Sequence, residues 1–217
     1  MPPIKHAVIS AAGIGSRLGL DKPKCMVEVL NRTLLDYHVE RLHGVETLWV
    51  VVGFHEDVVI QHALSLRRDI IIVRNPEYAR TNTLQSIYRV ARHLKERVLV
   101  IDADTVLEDN SFYKFVVAAE EHSNLLGVSR YTTSDGVRAQ LDTVGRNVIG
   151  FSRHVRHEFE WTGIAVIEPH LVVNKPIYVY QALESHLPLP AFELKAFDID
   201  TTADLDMARH VMAKQWS

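Results

Sequence analysis

The sequence predicts a doubly wound α/β fold, a mostly parallel sheet with helices on both faces, and three observations carry that expectation. Continuous apolar runs alternate with amphipathic stretches in a β-α-β-α-β order through the first half of the chain. A glycine-rich loop follows the first apolar run at once. A later run ends in paired carboxylates, which suits sheets that bind ligands beyond the carboxyl ends of their strands. With 217 residues, 47% of them hydrophobic, the chain is long enough to bury a full core as one domain, 1–217.

Taken in order, Lys5 to Ser10 reads as a strand buried on both sides, and Met26 to Val29 as a short extended piece. Thr33-Leu34-Leu35-Asp36 has the form of a capping box and starts a helix to about Leu42, which Gly44 stops. Thr47 to Val52 is a second buried strand that ends at Gly53, Asp57 to Leu66 a helix, and Asp69 to Val73 a third strand. After a polar loop from Arg74, Asn82 or Thr83 caps a helix whose Leu84, Ile87, Ala91 and Leu94 recur at helical spacing.

Arg97 to Ile101 is a strand that runs into Asp102-Ala103-Asp104. Asn110 or Ser111 is expected to cap a helix to about Glu121, with a strand from Leu125 to Arg130 beyond it. Asp135-Gly136 and Gly145-Arg146-Asn147 are turn signals between short alternating runs, so a β subregion with antiparallel pairing is expected around 130–190. Phe159 to Ile167 reads as a strand, and a helix lies somewhere in Val172–Leu187 before Pro188 and Pro190. Phe192 to Ile199 reads as a last strand ending at Asp200, and Thr201-x-x-Asp204 caps a final helix.

The chemistry concentrates in residues 11–24, where Gly13, Gly15 and Gly19 share a short stretch with Arg17, Lys22 and Lys24. Glycine lets backbone N–H groups approach a ligand closely. Successive amides then form an anion nest, and the cations add charge that a nest alone lacks. A triphosphate suits that combination. No lysine followed by Ser or Thr closes the loop as a P-loop requires. The third glycine stands one place too late for a dinucleotide fingerprint, and Pro23 interrupts the helix that fingerprint would begin. Asp102 and Asp104 supply hard oxygen ligands of the kind Mg²⁺ takes together with phosphates and water.

Composition excludes several classes. A net charge of −3 with mixed signs argues against a general nucleic-acid surface. A single cysteine rules out an internal disulfide and a cysteine-rich zinc site, and Cys25 is read as a buried packing residue. The first residues contain no long apolar segment, and no later run reaches membrane-spanning length, so a cytoplasmic protein without a membrane partner is expected.

Residues 7–24, with A-A-G-x-G-x-R-L and K-P-K, resemble the signature of the sugar-phosphate-type nucleotidyltransferases. The chain is more narrowly similar to the small cytidylyltransferases of the phosphocholine and inositol-phosphate type. That narrower likeness rests on Asn75-Pro76-Glu77-Tyr78-Ala79 with Asn82 and Ser86-Ile87-Tyr88, on Val100 to Asp104, and on Phe197-Asp198-Ile199-Asp200. It implies a Rossmann-like three-layer α/β/α fold of the nucleotide-diphospho-sugar transferase type, with a mixed sheet. It also implies Mg²⁺ and an NTP, CTP favoured, whose NMP passes to a small phosphorylated acceptor as pyrophosphate leaves. Carried over by position, Arg17 and Lys24 are the catalytic cations, and Asp104 and Asp200 hold the metal. Ala11, Ala12, Gly13, Ile14, Gly15, Ser16 and Arg17 surround the nucleotide, with Gly53, Asn82, Thr83 and Asp102. A homodimer is compatible with the likeness. A chain of this length without a left-handed β-helix suggests a single-step enzyme.

On the acceptor side, Arg138, Trp161 and Glu168 are the candidate contacts. Phosphocholine enzymes carry an aromatic residue where this chain has Gly136-Val137-Arg138, which argues against choline. The basic stretch Arg153-His154-Val155-Arg156-His157 is either a solvated hairpin face or the seat of an anionic or polyhydroxylated acceptor. Three further readings stay open: a sugar-1-phosphate uridylyl- or guanylyltransferase, a nicotinamide-dependent oxidoreductase, and a catalytically silent nucleotide- or sugar-binding protein.

Overall fold

The computed structural model describes residues 3–15, 19, 21–131, 133–214 and 216. The chain folds through β1 (His6–Ala11), β2 (Glu28–Val29), β3 (Arg32–Thr33), α1 (Leu34–Arg41), β4 (Thr47–Val52), α2 (Glu56–Leu66) and β5 (Ile71–Arg74). It continues through α3 (Thr83–Ala91), β6 (Val98–Asp102), β7 (Thr105–Leu107), α4 (Asp109–Ala119), β8 (Leu125–Ser129), β9 (Arg138–Leu141) and β10 (Asn147–Ser152). The remaining elements are β11 (Phe159–Ile167), α5 (Val179–Glu184), β12 (Leu189–Glu193), β13 (Ala196–Asp198) and α6 (Thr202–Ala213).

Among the described residues a nine-stranded sheet runs β5-β4-β1-β6-β11-β8-β12-β10-β9. Its first four strands are parallel, with Ile9 beside Val50 and Ile101 in the middle of the sheet. β11 then enters antiparallel between β6 and β8, and β9, β10 and β12 complete a mixed half. The expected mixed α/β sheet is observed, and its antiparallel part coincides with the turn-rich second half of the sequence.

Strand alternation explains the layers, because successive side chains face opposite sides. Ala7, Ile9, Leu99 and Ile101 pack with Leu35, Val59 and Phe115 of α1, α2 and α4. Val8, Val98 and Val100 pack on the other face with Leu84, Ile87 and Leu183 of α3 and α5. A smaller cluster seats Leu205 and Ala208 of α6 against Val29, Val106 and Phe197. No described helix is long and apolar enough to cross a membrane.

Local signals explain the helix starts. Thr33 and Asp36 form the expected capping box, as do Thr201 and Asp204, while Asn82 accepts from the Gln85 amide at the head of α3. Three expectations change. Glu108, not Asn110 or Ser111, caps α4, its carboxylate accepting from the Ser111 amide at 2.6 Å. The expected last strand is two strands, β12 in the main sheet and β13 paired with β7, parted at Leu194-Lys195. Pro190 stands inside β12 rather than ahead of it.

Candidate active site

Elements from both halves of the chain build one cleft of about 380 Å³ over the carboxyl ends of β1 and β6. Parallel pairing sets Ser10 beside Asp102, and the Ala103 amide donates to the Ser10 carbonyl, so the glycine loop and the carboxylate turn leave the sheet together. β13 runs antiparallel to β7 with Asp198 opposite Thr105. That register places the residue before β7 against those after β13, and the Ile199 amide donates to the Asp104 carbonyl at 3.0 Å. Asp104 and Asp200, 96 positions apart in sequence, therefore meet.

They meet on Lys24. Its Nζ donates to Asp104 Oδ2 at 2.7 Å and also contacts Asp200 Oδ1. Pro23 and a 3-10 turn over Lys24–Met26 bring the lysine back toward the glycine loop, with Cys25 buried beneath it. Gly15 has φ +67°, and a Cβ there would stand 2.7 Å from Lys24 Cγ, so glycine is needed for both the backbone angle and the space.

Electrostatics follow from this crowding. Burial alone would lower the Lys24 pKa, but the charges of Asp104 and Asp200 and their hydrogen bonds outweigh it and hold the ammonium above its ordinary value. Burial first, then the Asp104 charge, raises Asp102 and Asp198 well above the usual carboxylate range. Thr105 Oγ1 donates to Asp198 at 2.7 Å. Asp102 lies against Gly163, where a Cβ would come within 2.6 Å of its carboxylate, so the Trp161-Thr162-Gly163 stretch makes room for it. Burial pushes the Cys25 thiol up to about 12, with the Asp104 charge second, which leaves it an inert packing residue at neutral pH.

Of the expected nucleotide contacts, Ala11, Ala12, Gly13, Gly15, Asn82, Thr83 and Asp102 line the cleft. Ser16 and Arg17 lie outside the described residues. Ile14 is partly exposed and off the cleft wall. Gly53 stands behind the wall, where a Cβ would meet Tyr78 Cβ at 2.5 Å, so it admits Tyr78 to the cleft rather than facing it. The Asn82 amide also donates to the Ile177 carbonyl at 2.6 Å, which ties this rim to the segment before α5.

The acceptor side changes more. Trp161 lines the cleft. Arg138 does not; it stands opposite Glu160 across β9 and β11, pairs with it at 2.7 Å and donates to the Thr133 carbonyl. A cross-strand ion pair consumes its charge. Glu168 follows β11, which runs antiparallel to β6, so it emerges at the opposite end of the sheet and bonds Asn124 there. The cleft instead receives Arg153, Tyr178 and Tyr180. Sequence spacing does not distinguish Arg138 from Arg153. The β9–β10 register does, since Arg138 sits opposite Ser152 and Arg153 is one residue beyond.

Residues 7–185 match the MobA-like NTP transferase domain model. The chain belongs to that family. Among curated relatives, this NTP transferase domain is 31% identical over 127 residues to a CTP:phosphoglutamine cytidylyltransferase of Campylobacter jejuni, covering 54% of the chain and 50% of the relative. It is 32% identical over 110 residues to a UTP–glucose-1-phosphate uridylyltransferase of Haloferax volcanii, covering 48% and 45%. The chain thus spans about half the length of the curated relatives it matches. The inositol-1-phosphate CTP transferase structure from T. maritima superposes with a TM-score of 0.80 at 19% identity, covering 99% of this chain and 97% of that one. The phosphocholine cytidylyltransferase of Streptococcus pneumoniae gives 0.80 at 20%, covering 95% and 98%. These likenesses establish the fold of the NTP transferase domain as that of the nucleotide-diphospho-sugar transferases.

Proposed function

We propose that the protein is a Mg²⁺-dependent nucleotidyltransferase that moves NMP, CMP in the first instance, from an NTP to a small phosphorylated acceptor. One observation carries the reading: a single lysine ammonium is held between two carboxylates delivered by separate strand ends beside a glycine loop. A catalytically silent binding protein has no need of that arrangement. A nicotinamide enzyme would account for the glycines alone.

The donor set fits magnesium. Among the described residues no group of three or more His, Cys, Asp or Glu is arranged to hold a metal by protein atoms alone. Mg²⁺ commonly takes only one or two carboxylates and fills its shell with phosphate oxygens and water. Asp104 and Asp200 are the two, and Lys24 must give up a contact with them for an ion to bind. When bound, the ion neutralises charge on the phosphate oxygens.

The chain's own contribution is positioning and charge. An acceptor phosphate oxygen attacks the α-phosphorus in line, the bond from that phosphorus to the β-bridging oxygen breaks, and pyrophosphate leaves with the electron pair. Lys24 places positive charge where these oxygens become more negative, and in a cleft partly shielded from water that charge acts strongly. A phosphate monoester is mostly ionised at neutral pH, with its second pKa near 6, so no histidine base is required. Gly13 and Gly15 keep the loop thin enough for close approach of the polyphosphate.

Pyrophosphate release, measured for four NTPs against phosphorylated alcohols, sugars and phosphonates with Mg²⁺, tests the proposal. CTP should give the fastest turnover. A clear preference for UTP would move the assignment toward sugar-1-phosphate uridylyl transfer, and silence with every NTP would end it.

A further inference from the structure

On the cleft wall, where β10 ends and α5 begins, three side chains form a compact group. The Tyr178 and Tyr180 rings stack with centroids 5.8 Å apart at 11°. The Arg153 guanidinium lies 5.0 Å from the first centroid and 5.6 Å from the second. Arg153 Nη1 donates to the Asp135 carbonyl at 3.1 Å, and Nε reaches the Tyr180 hydroxyl at 3.4 Å. Phe151 packs edge-on against both Tyr180 and Trp161, which braces the group against the sheet.

Two consequences follow from elementary chemistry. Stacked tyrosines facing a cleft are the usual apparatus for a quaternary ammonium. Here a cation of the protein already occupies those faces, and a second one would meet like-charge repulsion. Secondly, a guanidinium has five N–H donors in a planar fork. Among the described residues the hydrogen bonds of Arg153 run from Nε and Nη1, to the Tyr180 hydroxyl and the Asp135 carbonyl, and its guanidinium makes no ion pair. Held by two rings and a backbone carbonyl, the fork keeps its charge and its outer edge for a planar anion, which Arg binds bidentately.

Resting on the nucleotidyltransferase reading, the geometry points to an acceptor that carries a carboxylate in addition to its phosphate, with Arg153 as the residue that selects it. The protein is thereby a transferase for phosphorylated carboxylic acids rather than for phosphorylated cholines or neutral polyols. Tyr178 and Tyr180 set the plane of the guanidinium and do not themselves form a cage.

The test is acceptor selectivity with the best NTP and Mg²⁺, using 3-phosphoglycerate, O-phosphoserine, glycerol 3-phosphate and phosphocholine. The wild-type protein should favour the first two over glycerol 3-phosphate in kcat/KM and turn over phosphocholine slowest. Arg153→Gln should collapse the ratio of 3-phosphoglycerate to glycerol 3-phosphate by about 10- to 100-fold, as expected for loss of a charge-assisted pair. The loss should appear mainly in KM for the carboxylate acceptors, and Arg153→Lys should restore part of it. A purely structural arginine would lower all acceptors together and leave the ratio unchanged, which would overturn the inference, as would wild-type preference for phosphocholine. Absence of pyrophosphate with every NTP and acceptor would instead remove the underlying reading and this inference with it.

Discussion

Lys24 holds the site together because it answers to two carboxylates at once, and its neighbours are chosen to let it. Lys24→Ala should lower kcat for pyrophosphate release by about 10²-fold or more, the scale of a lost charge stabiliser. Near-normal turnover would remove Lys24 from the chemistry. Gly15→Ala probes the same point from the backbone. The methyl would collide with Lys24 Cγ, and φ +67° is a left-handed angle that costs an L-residue about 1–2 kcal/mol. A loss of kcat well beyond what that destabilisation explains, with the denaturant midpoint only slightly lowered, is the expected outcome. A variant of unchanged kcat would show that the lysine needs no such clearance. The glycines, the K-P-K and the acidic strand ends were legible as residues because close approach and charge density are local properties. Arg153 was visible within its basic stretch, but nothing near it, or near Tyr178 and Tyr180, says which of many basic and aromatic residues faces inward.

Elements were readable where the signal lies within four residues, as in the boxes Thr33–Asp36 and Thr201–Asp204. Glu108 was missed as a cap because glutamate is an uncommon choice for the role, and Asn110 and Ser111 beside it are common ones. The direction of β11 was not readable at all, since a buried apolar run looks the same parallel or antiparallel. That direction sends Glu168 to the end of the sheet away from the cleft. α1 holds a separate feature: His38 is fully buried, and burial first, then the Arg41 guanidinium, push its pKa down to about 3. The unfolded chain takes up a proton near the ordinary value of 6.5 while the folded protein does not. Stability therefore falls as pH drops from about 6.5 toward 3, by up to about 1.4 kcal/mol per pH unit. His38→Leu removes this titration. In urea unfolding at a series of pH values, wild type should lose stability relative to His38→Leu as pH falls from 7 to 4, and a constant difference would contradict the assignment.

For the whole molecule, the parallel half was legible because β1, β4 and β6 are largely buried and read as apolar runs between helical patterns. The mixed half was only outlined, since its order depends on pairings between residues far apart, such as Glu193 beside Val128 and Trp161 beside Val128 from the other side. The cleft lies where the halves join, so its ligand should stabilise the protein as a unit. A ligand that binds only the folded state at 100 times its Kd adds about 2.7 kcal/mol. For a chain of this size each kcal/mol is worth roughly 2–4 °C of Tm, so CTP with Mg²⁺ should raise Tm by about 5–10 °C. Removing the ion with EDTA should shrink that shift strongly, because the triphosphate would then face the carboxylates of Asp104 and Asp200 without the ion to neutralise them. In an Asp104→Asn, Asp200→Asn double variant the carboxylate charges are gone, so the shift with CTP alone should exceed that of the wild type in EDTA and respond little to added Mg²⁺. A wild-type shift of equal size with and without the ion would mean that these two carboxylates serve the lysine and not a metal.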